Sequence, residues 1–250
     1  MKHTLEHMEN LSGVVADVVE GWPEQSLRDA ASTIVFIGDM FPPNRLPNPR
    51  QNLADLDAMM RRGVGIVCVH YATGLHGDDV TPEGDHPLLR WMGGYFANRS
   101  CPHHESIARI FPTATITPAA AQHPVSRGWK EFTLHDEPYI NNYFGSDGNQ
   151  LASNVTALAT SMLPPESPQR ETVAWCVERS DSGRGFGIVM PHFYKNWGVD
   201  ELRRLILNGI VWTAGIEVPP GGVKTVSPNL ADFDPESVEF VRRPGKPKYP

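Results

Sequence analysis

Cysteine is scarce in this chain: Cys68, Cys101 and Cys176 are an odd set with no C-x-x-C pair. That argues against a disulfide-built scaffold and a paired-cysteine zinc site, and it fits a reducing, cytoplasmic compartment. No apolar run reaches the roughly 18 residues that a membrane-spanning helix needs. The opening MKHTLEHMENLSG lacks the apolar core of a signal peptide. No dense Lys/Arg block occurs before the tail and the net charge is −7, so neither a nucleic-acid partner nor a membrane surface is expected. Internal repeats and an H-E-x-x-H pair are also missing.

What is present describes a globular α/β chain. Apolar residues make up 40% and charged residues 20% of 250, enough for a sizeable core. Residues 14–19 (VVADVV) read as a short strand, and 33–38 (TIVFIG) as a buried one. Residues 52–62 (NLADLDAMMRR) read as a helix stopped by Gly63, and 65–70 (GIVCVH) as the next buried strand. Strand, helix, strand implies a right-handed parallel crossover. Residues 87–96 read as a helix weakened by a glycine pair; short strands are expected within 106–135, and further ones at 155–160, 172–178 and 185–190. Residues 200–214 form the most regular helical pattern, closed by Gly215. Beyond it the composition shifts to Pro and Gly, which divides the chain into an α/β domain, 1–218, and a surface tail, 219–250.

Four segments carry candidate chemistry. GIVCVHYATG ends a buried strand at His70, where open α/β sheets place ligands; a structural histidine is the competing reading, and Cys68 is read as core. CPHHES (101–106) offers His103 and Glu105 on one side of an extended segment, a donor set that zinc accepts. TLHDEPYINNYF (133–144) crowds Asp136, Glu137, Tyr139, Asn141 and Asn142, a mix of acids, amides and aromatics suited to a sugar. Asp136 and Glu137 are adjacent, so on a strand they face opposite sides and only one serves the site. MPHFYKNWG (190–198) supplies His192. Asn196 reads as a substrate contact or a helix cap, and Trp197 as a stacking platform or, more simply, core.

Taken together, GIVCVHYA, PHHES, HPVSRGWKEFTLHDEPY, and GRGFGIVMPHFYKNW followed by LRRLILNGIVWTAG resemble the ThuA-like (trehalose-utilisation) proteins over about residues 10–220. The resemblance implies a flavodoxin-like, mostly parallel sheet flanked by helices, of the class I glutamine amidotransferase type. Amidotransferases carry a nucleophilic cysteine at the elbow where this chain has His70, so glutamine hydrolysis is not expected. Relatives open with an apolar strand and a His-containing loop, whereas MKHTLEHMENLSG resembles the helix that follows. The usual first strand is therefore expected to be lacking, through a truncated reading of a longer gene or replacement by another segment.

The resemblance also selects Glu137 over Asp136. It implies bacterial carbohydrate metabolism on trehalose, a related glycoside or a keto-sugar, through hydrolase, lyase or isomerase chemistry. Glu137, His70 and His192 are the expected catalytic residues. Tyr139, Asn196 and Trp197 are assigned to substrate, and His103, Glu105 and His192 to a divalent metal such as zinc. No nucleotide cofactor is expected, and a homo-oligomer is compatible. The competing functions are a non-catalytic sugar-binding module and, ranked last, a degenerate amidotransferase-like subunit.

Overall fold

The computed structural model describes residues 1–233; the tail segment RRPGKPKYP lies outside them. The helices are α1 (Lys2–Glu6), α2 (Gln25–Ala30), α3 (Pro42–Arg45), α4 (Pro49–Arg61), α5 (Pro87–Met92) and α6 (Asp200–Thr213). The strands are β1 (Thr33–Phe36), β2 (Gly65–Val69), β3 (Gly74–Leu75), β4 (Phe96–Ala97), β5 (Phe111–Pro118), β6 (Phe132–Asp136), β7 (Val155–Leu163), β8 (Gln169–Glu178) and β9 (Arg184–Ile188). No helix among the described residues is long and apolar enough to cross a membrane.

Seven strands form one sheet in the order β1-β2-β9-β8-β7-β5-β6, and β3 pairs with β4 apart from it. The sheet is mixed, which corrects the expectation of a mostly parallel one. Only β1–β2 and β2–β9 run parallel; the other four pairings are antiparallel. The reason is loop length. Short links join β7 to β8 and β8 to β9, and such links allow only antiparallel neighbours.

The parallel trio is the buried centre. β2 is buried at every position, as its unbroken apolar run requires. Side chains alternate along β9. Gly185 lies against the backbone of Trp91 and Met92 in α5, while Phe186 packs on Gly209 of α6. The two helices therefore cover opposite faces. A side chain at Gly185 would start 2.2 Å from Trp91 O, which is why only glycine fits there.

The far half of the sheet curls. β5 pairs with β6 through Phe111–Ile116 but meets β7 only at Thr117 and Pro118, with a register shift after Phe111. Laid flat, β6 would sit four strand spacings from β9, or about 19 Å. Instead Asp136, at the end of β6, touches the loop after β9: His192 N donates to its Oδ1 at 2.8 Å. The irregular pairing of β5 is what brings that edge round.

Other expectations need correction. Residues 14–19 form no strand; the segment is irregular and exposes Val15, Val18 and Val19. The helix expected over 87–96 stops at Met92, because Gly93 takes a left-handed conformation (φ 90°). The chain after α6 is not simply a surface tail. Val218 and Val223 are buried, Val223 N donates to Asn208 Oδ1 at 2.8 Å, and Asn10 bonds both Gly222 O and Lys224 N.

Candidate functional site

β2 ends at Val69 and the next residue breaks away. His70 takes φ 51°, a left-handed value that a buried non-glycine residue seldom adopts. The turn is held by Thr73 Oγ1, which donates to His70 O at 2.7 Å. Of the four residues in the turn, His70, Ala72 and Thr73 are buried and Tyr71 alone is exposed. His70 Nδ1 faces Val189 O at 3.0 Å. A carbonyl only accepts, so Nδ1 carries the proton and Nε2 presents a lone pair to the site. Burial pushes this imidazole down to about 4, which keeps it neutral at neutral pH.

His192 arrives from the end of β9, the parallel neighbour of β2. Its position is set by Asp136, which is fully buried. Asp136 Oδ1 accepts from the backbone N–H groups of Glu137 (2.8 Å), His192 (2.8 Å) and Phe193 (3.3 Å), and Oδ2 accepts from Asn196 Nδ2 (2.9 Å). One carboxylate thus joins the end of β6 to the loop after β9. Asp136 and Glu137 serve the same site, contrary to the alternation argument. β6 ends at Asp136, and Glu137 has already left strand geometry.

Three donors converge. His70 Nε2 lies 2.9 Å from His192 Nδ1 and 3.7 Å from Glu137 Oε2, and His192 Nδ1 lies 3.3 Å from Glu137 Oε2. The point equidistant from donors with these spacings is about 1.9 Å from each, so a cation at the usual bond length of about 2.1 Å would sit just off their plane. Two imidazoles and a carboxylate within such reach can hold a divalent ion, with one side left for other ligands. Around them, Tyr139 stacks on His70 with ring centroids 4.5 Å apart, and its hydroxyl lies 3.3 Å from His70 Nε2. Burial raises the Glu137 carboxyl and, more strongly, the Tyr139 phenol.

The expected metal set of His103, Glu105 and His192 is not the one brought together; only His192 belongs to the group. His103 Nε2 meets Tyr95 OH at 2.9 Å, and Glu105 is exposed, with its backbone oxygen accepting from Asn141 Nδ2. Asn196 is buried, and its amide is used by Asp136 and His135 O. Trp197 is half-buried and lines a cavity of about 390 Å³ with α1, away from the three donors. Cys68 is buried, and burial pushes its thiol up, consistent with a core role. Asp136 is the residue that sequence reasoning set aside. The alternating burial of Phe132, Leu134 and Asp136 along β6 was the signal that it points inward.

The curated proteins hold no match to this chain. Among solved structures, a ThuA-like protein from Bacteroides uniformis has 13% identity and a TM-score of 0.51, covering 76% of this chain and 75% of that one. A second, from Parabacteroides merdae, has 16% identity and a TM-score of 0.49, with 78% of each chain covered. The first supports a shared fold. Residues 9–213 match the family described as ThuA, trehalose utilisation, and with most of its length so matched this chain belongs to the ThuA family.

Proposed function

We propose that this protein acts on a sugar or keto-sugar, trehalose or a related glycoside among them, at a divalent-metal centre held by His70 Nε2, His192 Nδ1 and Glu137 Oε2. The observation that carries the reading is the spacing of these donors, 2.9–3.7 Å across three separate segments. When bound, an ion such as zinc supplies Lewis acidity toward a carbonyl or a water. The chain's own residues do the rest. Val189 O fixes the tautomer of His70, and Asp136 fixes the loop bearing His192. The second carboxylate oxygen of Glu137, left free when Oε2 holds the ion, is the group suited to move a proton to or from a substrate hydroxyl. Tyr139 shields His70 from solvent and orders its ring.

Family membership supports the carbohydrate class; hydrolysis, elimination and isomerisation all suit one acid/base group beside a cation. We read the parallel trio with its two covering helices as the core of a flavodoxin-like sheet. β1 stands at its edge. The buried free cysteines fit a reducing compartment such as the cytoplasm.

The test is metal analysis with turnover on a panel of trehalose, other glucosides and their 3-keto derivatives. Wild type should hold one equivalent of zinc, and His70→Ala and His192→Ala should lose it together with activity. Glu137→Gln, which keeps an oxygen donor, should lose turnover by about a hundredfold or more while retaining part of the metal. Unchanged metal content and turnover in the histidine variants would overturn the assignment. Sugar binding without turnover in wild type would favour a binding module instead.

A further inference from the structure

We infer that Tyr71 is a stacking platform that seats a pyranose ring over the donor cluster; the inference rests on the carbohydrate reading above and deepens it. A single exposed tyrosine is ordinary on a protein surface. This one is not placed like an ordinary surface residue. It is 41% exposed, yet its ring lies against three side chains of the site: 4.7 Å from His70, 5.8 Å from His192 and 6.5 Å from Tyr139, centroid to centroid. The cause is the left-handed φ at His70. That residue keeps its imidazole inside and sends the next side chain out over the rim, while Ala72 and Thr73 turn back into the core. An unfavourable backbone conformation is thus maintained at the one step that sets a catalytic-type imidazole and an exposed aromatic side by side.

The surroundings give the platform a direction. His192 is the most exposed of the donors, with 27% of its side chain accessible against 5% for His70 and 16% for Glu137. The cluster therefore opens on the His192 side. Tyr71 flanks His192 there, and half-buried Phe193 touches its ring edge-on at 4.9 Å. A flat apolar ring face beside a polar cluster suits a pyranose, which carries C–H groups on its faces and hydroxyls around its rim.

The experiment is an NMR titration of the full-length, zinc-loaded protein with trehalose, methyl α-glucoside, methyl α-mannoside and their 3-keto derivatives, and with ring-free glycerol as comparator. Tyr71→Ala should weaken binding of the sugars about tenfold, leave zinc affinity within twofold, and not alter the response to glycerol. Tyr71→Phe, which keeps the ring, should stay within about threefold of wild type. Sugar affinity unchanged in Tyr71→Ala would overturn the platform while leaving the carbohydrate reading in place. Wild type binding none of the three sugars and none of their 3-keto derivatives would overturn both. A loss of zinc in Tyr71→Ala would make the residue a support of the metal site and refute its role as a platform.

Discussion

Replacing Asp136 with asparagine isolates what one carboxylate contributes to this architecture. The side chain keeps its shape and loses its charge. Asp136 receives four N–H donors, three of them within 2.9 Å, and each bond to a buried charge contributes about 1.5–3 kcal/mol against about 1 for a neutral pair. In the variant Oδ1 still meets the three backbone donors, at neutral strength. The new amide nitrogen then faces Asn196 Nδ2, donor against donor, so one bond is lost and a buried donor has no acceptor. Asn196 cannot turn over without giving up its bond to His135 O at 2.9 Å. The sum is a loss of at least about 3 kcal/mol, read as a lower midpoint in urea at unchanged m. Because the same bonds hold the His192 loop, zinc affinity should fall as well. Adding Asn196→Asp restores a donor–acceptor pair and should recover part of the stability. An Asp136→Asn protein within about 0.5 kcal/mol of wild type, with full zinc affinity, would refute the view that this carboxylate joins β6 to the β9 loop.

Two further outcomes follow from other parts of the fold. His86 caps α5 by accepting from Leu88 N at 3.0 Å, and burial pushes its imidazole down to about 4. A histidine lowered in the folded state favours folding above its unfolded value near 6.5, and that contribution is lost as pH falls toward 4, by about 3 kcal/mol in all; urea denaturation across this window should show the slope in wild type and a shallower one in His86→Gln. Gly185→Ala drives a methyl into Trp91 O and Met92 Cα, backbone atoms that cannot turn aside. A loss of about 2 kcal/mol in thermal or urea unfolding is expected, and a neutral result would mean that α5 is not seated on β9 as described.

The sequence made some of this legible and hid the rest for identifiable reasons. Unbroken apolar runs marked β2 and the strand at 185–190, and the stripe ending at Gly215 marked α6, because burial on both faces or one leaves a plain pattern. Residues 14–19 carry the same apolar content but pair with nothing, since pattern alone does not say whether a partner strand is near. His70 and His192 were picked out as polar residues at or just past strand ends, and Glu137 by the resemblance to the family. His103 and Glu105 had metal-like spacing as well, yet local spacing cannot show that Tyr95 occupies the imidazole. Asp136 was passed over because a period of two was carried one residue too far. The curl that brings β6 round to β9 depends on a register shift within β5, which leaves no composition signature.

That curl also has a bearing on how the molecule reaches and leaves its native state. His70 and His192 are separated by 122 positions, and Asp136 and His192 by 56, so the cluster exists only once contacts far apart in sequence have closed. A ligand that grips all three donors would reward only the finished molecule and would leave half-assembled forms unassisted. Peeling of the β5–β6 ribbon would scatter the cluster before the parallel centre melts, making release of the bound ion an early signal of local opening.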